Sequence, residues 1–221
     1  MVSRRAFVLA GVAAAAVPAA LAAESDPWAL LRKGDLVILM RHASTDPGLG
    51  NDPPGFKLDD CSTQRNLSHA GRAESQRVGE RFRAERIPIA RVYTSPWCRC
   101  RDTAMLAFGR AEDWAPLSSV FDLPDRDREY TERVKKRIGG YGRRKPGGNV
   151  VMVTHNVNIA ALSRHSVATS EMVLMRPDGC CDARPVARLK VAHSEGGAGA
   201  PLAGMRPRRM RGADPTLPES S

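Results

Sequence analysis

Leu36-Val37-Ile38-Leu39-Met40 is an unbroken apolar run that stops at Arg41-His42. Without polar alternation, such a run predicts a strand buried on both faces, as in a parallel sheet. Val150-Val151-Met152-Val153-Thr154-His155 repeats the pattern and also ends in histidine, while Arg91–Ser95 is a shorter strand. Helical periodicity lies between the strands. Ser68 is placed to cap a helix running to about Arg86, whose stripe is Ala70, Ala73, Val78 and Phe82. Pro96 suits the first turn of a second helix that Gly109 ends. A polar helix is expected over Glu129–Ile138, stopped by Gly139-Gly140, and a short one over Asn158–Ser163. Glu171–Arg176 and Val186–Ala192 read as two strands joined through the turn signal Pro177-Asp178-Gly179. Residues 44–66 and 110–128 have loop composition. Alternating strands and helices predict a three-layer α/β fold: a mostly parallel sheet with helices on both faces.

The ends of the chain differ from this middle. Residues 1–23 carry Arg4-Arg5 before Phe7, then an Ala-rich apolar run with small-x-small patterns at Ala20-Leu21-Ala22 and Leu21-Ala22-Ala23. This is the pattern of a cleaved twin-arginine export signal. Its run of roughly 15 residues is short for a bilayer span, which needs about 20. No other stretch is apolar enough to cross a membrane, so the expected location is periplasmic or secreted. From residue 194 onward Gly, Ala, Pro, Arg and Ser dominate, and 194–221 is expected to be a disordered tail. That leaves 24–193 as one domain, in keeping with 221 residues of which 42% are hydrophobic and 26% charged. The formal charge is +10; removing the leader takes away two positive charges and leaves +8. A basic surface favours anionic partners without choosing among them. The run Arg133–Arg137 with Arg143-Arg144-Lys145 has few interleaved aromatics and reads as a solvated face, so no nucleic-acid partner is expected. Oligomeric state is not legible.

Five cysteines fit an oxidising compartment and leave one thiol over. Cys61 with Cys98 or Cys100 is the expected bridge. A zinc site on the same cysteines is disfavoured, because Cys98-x-Cys100 is tightly spaced and no histidine lies at ligand spacing. No metal or cofactor is expected.

In open α/β sheets the ligand crevice lies beyond the carboxyl ends of the strands. His42 and His155 both sit at such ends, Arg41 adjoins the first, and Arg99 follows the strand ending at Ser95. Two guanidiniums and two imidazoles at one edge would cage a phosphate dianion. A helix starting near Pro96 would add backbone N–H groups. His69, His165 and His193 have no such context and read as surface or structural residues.

The string Leu39-Met40-Arg41-His42-Ala43-Ser44-Thr45 resembles the Arg-His-Gly signature of the histidine phosphatase (phosphoglycerate mutase-like) superfamily. Tyr93–Ala104 resembles that family's second block, in which an Arg four residues after a Ser binds phosphate. Asn66–Gly71 looks like the helix start between the blocks, and Val150–His155 like the strand bearing the second histidine. The matches run in family order over roughly residues 35–192. Ala43 stands for the usual Gly, as in the superfamily's small phosphohistidine phosphatases. Asn156 stands where Gly often follows the second histidine. The resemblance implies a phosphatase that hydrolyses phosphate monoesters through a phosphohistidine on His42. Arg41, Arg99 and His155 would neutralise the phosphoryl oxygens, and Thr45 would touch the ligand. A carboxylic acid would protonate the leaving group. Asp122, behind apolar Val120-Phe121, is the first choice for it and Asp125 the next, with Asp113, Asp127 and Glu129 also in that segment. The partner is then a small phosphorylated substrate that the sequence does not name. The other reading is a phosphate-binding or interaction protein with the same cage and little turnover. A mutase role is disfavoured by export and by the short domain.

Overall fold

The computed structural model describes residues 26–47 and 50–192. The expected export segment and the expected tail lie outside the described residues, as does His193. The chain begins with helix α1 (Pro27–Lys33), which the apolar pattern does not announce. Its signals are local: Asp26 accepts from the N–H groups of Trp28 and Ala29, Pro27 opens the first turn, and Gly34 closes the helix at φ 79°. Then follow β1 (Val37–Arg41), α2 (His69–Ala84), β2 (Ile89–Thr94), α3 (Cys98–Phe108) and the two-residue β3 (Glu112–Asp113). The second half holds α4 (Asp127–Gly140), β4 (Asn149–Thr154), α5 (Asn156–Ser163), β5 (Met172–Pro177) and β6 (Ala183–Leu189).

The six strands form one sheet in the order β3-β2-β4-β1-β5-β6. β1, β2, β3 and β4 are mutually parallel; β5 runs antiparallel to β1, and β6 antiparallel to β5. Alternate residues of the buried strands feed two cores. Ile38, Met40, Val151 and Val153 pack with Val78 and Phe82 of α2 and Ala104 of α3. Val37, Leu39, Val150 and Met152 pack with Val134 and Ile138 of α4 and Ile159 of α5. This is the expected three-layer arrangement. Asn149 ties its lower edge together: its side chain donates to the carbonyls of Leu31 and Pro88 and accepts from the N–H of Leu36.

Several boundaries move for tertiary reasons. α4 runs through Gly139-Gly140 instead of stopping there. A Cβ on Gly139 would lie 2.7 Å from the backbone of Cys181 and Asp182, so this glycine serves close packing, not termination. β6 starts three residues earlier than expected, because pairing with β5 sets its register, with a shift between Leu174 and Met175. Pro185 is accepted there on an edge strand.

Candidate functional site

The register of β1 against β4 pairs Arg41 with Thr154, and β2 against β4 pairs Thr94 with Val153. The three strands therefore end at one level, and the next residues, His42, Ser95 and His155, emerge together. A cavity of about 230 Å³ opens there, lined by Arg41, His42, Arg65, Arg99, Asp122 and His155 among others. Five of these six are residues the sequence singles out; Arg65 is not. Thr45 is not among the lining residues; it forms an isolated antiparallel bridge with Leu67.

His42 is buried, and its Nδ1 lies 2.8 Å from the carbonyl oxygen of Ala43. A carbonyl only accepts, so Nδ1 carries the proton and Nε2 keeps its lone pair. Burial, reinforced by Arg99, Arg41 and Arg65, lowers its pKa to about 3, so the ring is neutral over the whole physiological range. His155 packs with its ring centroid 5.5 Å from that of His42. Its Nε2 is 2.9 Å from Ser95 Oγ, which itself accepts weakly from the N–H of Trp97 at 3.4 Å. Burial first, then His42 and the arginines, push the His155 pKa well below its ordinary value.

The guanidiniums are held from behind. Arg41 donates through Nη1 to the carbonyl of Val167, whose N–H donates to Asn156 Oδ1. Asn156 thereby braces the segment that steadies Arg41, which gives this departure from the family pattern a structural role. Arg99 is 4% exposed and donates through Nη1 to both oxygens of Asp52, 1% exposed, at 2.8 and 2.9 Å. Asp52 also accepts from Trp97 Nε1 and from the backbone N–H of Arg65. The Nε atoms of Arg41, Arg65 and Arg99 are all buried and have no hydrogen-bond partner. Three guanidiniums around one small cavity make it electropositive, which suits an anion.

Asp122 reaches the rim through a segment that Asn158 holds in place. Asn158 donates to the carbonyl of Ser118 and accepts from the N–H of Val120. Asn158, Asp52 and Arg65 were missed because polar residues in loops or short helices carry no periodic signal. Asp125, the next choice for the acid, is not among the lining residues. The N–H of Cys98 at the start of α3 is taken by Gln64 Oε1, so that backbone donor is not open to a ligand as expected. Cys61 pairs with Cys98, while Cys100 is a buried free thiol 3.6 Å from His155 Nε2. Cys180 and Cys181 are also free. No group of three or more potential metal ligands occurs among the described residues. A larger cavity of about 960 Å³ lies elsewhere, lined by Trp114, Arg133, Arg137, Arg143, Arg144 and Cys181 among others. It contains neither active-edge histidine.

Residues 37–127 match the model of the histidine phosphatase superfamily (branch 1). No curated protein matches the chain. Among solved structures, the chain is similar to a mycobacterial glucosyl-3-phosphoglycerate phosphatase bound to VO3 (16% identity, 68% of this chain and 96% of that one, TM-score 0.50). It is also similar to a phosphoserine phosphatase from Entamoeba histolytica in complex with 3-phosphoglyceric acid (12% identity, 72% and 98%, TM-score 0.50). The protein histidine phosphatase SixA complexed with tungstate is similar at 16% identity, 70% and 96% coverage, and TM-score 0.48. For the first two structures, at these identities, the likeness is one of fold.

Proposed function

We propose that this member of the histidine phosphatase superfamily hydrolyses phosphate monoesters through a phosphohistidine on His42, and that it works outside the cytoplasm. The observation that carries the chemistry is the His42 Nδ1–Ala43 carbonyl bond, which leaves Nε2 as a buried lone pair facing an arginine-lined cavity. Nε2 attacks phosphorus, and the P–N bond forms as the ester P–O bond breaks. Arg41, Arg99 and His155 stabilise the charge on the non-bridging oxygens. Asp122, at the rim, gives its proton to the departing alkoxide. Its carboxylate then takes a proton from water, whose oxygen attacks phosphorus; the P–N bond breaks and inorganic phosphate leaves. The arginines supply the positive field, so the scheme uses no metal. Export rests on the Arg4-Arg5 leader and fits a chain with a Cys61–Cys98 bridge.

The test is hydrolysis of p-nitrophenyl phosphate by the full chain and by His42→Ala. Turnover that His42→Ala lowers by about 10³ or more is the expected result. Equal turnover by both proteins would refute the nucleophile. Tight phosphate binding without turnover would make the protein a phosphate binder.

A further inference from the structure

Residues 50–65 leave the active edge, cross the surface and return to it, and they are pinned to the start of α3 along the way. Asp52 holds Arg99 and the indole N–H of Trp97. The ring of Phe56 lies 5.8 Å from that of Trp97. Gln64 Oε1 takes the N–H of Cys98, and Cys61 is covalently joined to Cys98. What this stitching delivers is Arg65, the next residue after Gln64, whose backbone N–H is bound 2.8 Å from Asp52 Oδ1. Its side chain lines the same cavity as His42 and His155, close enough for its charge to act on both rings. The charges agree. Asp52 compensates Arg99 by a direct ion pair, while Arg41 and Arg65 also line the cavity that a dianionic phosphoryl group would enter.

We propose that Arg65 is a third guanidinium ligand of the substrate's phosphoryl group, and that the Cys61–Cys98 bridge holds it in reach. The inference rests on the phosphatase reading of the site and extends it to a residue outside the recognised motifs. It also makes phosphoryl affinity depend on redox state. A dithiol reductant attacks the exposed Cys61 side of the bridge; the S–S bond breaks, two thiols form with two electrons and two protons from the reductant, and the reductant closes to its own disulfide. Arg65 is then tied down only by non-covalent contacts.

The experiment measures inorganic phosphate binding by calorimetry on the full chain, wild type and Arg65→Gln, before and after dithiothreitol. Thermal midpoints are measured in parallel. Arg65→Gln is expected to weaken phosphate binding by about tenfold or more at an unchanged midpoint, since a charge-assisted pair is lost. Arg65→Lys should recover part of it. Reduction should weaken wild-type binding in the same direction and change Arg65→Gln little; Cys61→Ser/Cys98→Ser should match the reduced wild type. Wild-type affinity in Arg65→Gln would overturn the ligand role. An equal further loss when Arg65→Gln is reduced would overturn the link between bridge and arginine. Because the readout is binding, a wild type that binds phosphate without hydrolysing esters refutes the phosphatase reading while the Arg65 comparison still decides this inference. A wild type that does not bind phosphate overturns both.

Discussion

In the proposed mechanism His42 depends on one contact with its own neighbour, since the Ala43 carbonyl fixes which nitrogen is bare. This has a kinetic signature. A free imidazole titrates near 6.5, whereas burial and the surrounding guanidiniums hold His42 neutral down to about 3. The acid limb of kcat/KM reports the free enzyme. After correction for the substrate's own ionisation, that limb should fall well below pH 6.5; a limb at 6.5 would show an ordinary, solvated imidazole. Asp122 is tested by leaving group. Asp122→Asn should slow hydrolysis of an alkyl phosphate by about 10²–10⁴ and that of p-nitrophenyl phosphate far less, because nitrophenolate departs without a proton. Equal losses on both substrates would remove Asp122 from the acid role. His42, His155, Arg41 and Arg99 were legible because each sits beside an apolar run that ends in it or in a short block. Arg65 was not, because it lies in a loop whose path depends on Asp52 and a disulfide.

At the scale of elements, α2 meets the loop after β1 so closely that a side chain is excluded. A Cβ on Gly71 would fall 1.8 Å from the carbonyl oxygen of Ser44, two residues beyond His42. Ser44 is also held by Glu74, which accepts from its N–H and hydroxyl. Gly71→Ala would gain helix propensity in isolation. Here it should instead cost about 1–3 kcal/mol through overpacking, read as a lower thermal midpoint, and it should lower activity by displacing the His42 loop. A stabilised variant would mean that α2 does not bear on this loop. The strands and the long helices were visible as periodicity. α1, β3 and the true span of β6 were not, since a short helix, a two-residue strand and an edge-strand register draw on pairing partners that no local window contains.

Across the whole molecule, the site sets a limit on acid stability. His42 and His155 are held unprotonated when folded, with pKa values below that of the unfolded chain. Below pH 6.5 the unfolded chain binds more protons, so their contribution is complete above about pH 7 and is lost as pH falls, for His42 down to about 3. The slope is roughly 1.4 kcal/mol per pH unit for each group. Scanning calorimetry should show a midpoint that drops between pH 7 and pH 5, and drops less in His42→Asn. Identical pH profiles would mean that His42 is accessible to protons in the folded state. The fold class, the order of its blocks and the two histidine–arginine pairs were determined by the sequence alone. Apolar run length and period report burial, and a residue ending such a run is placed at a sheet edge by the chain itself. Only the tertiary structure decided which loop residues join them. Asp52 and Arg65 reach the cavity through an ion pair with Arg99 and a bridge to Cys98, both formed between positions far apart in sequence. Asn158 supports the segment that carries Asp122 by donating to the carbonyl of Ser118, 40 residues away. Such contacts are set by the path of the folded chain, and local pattern carries no trace of it.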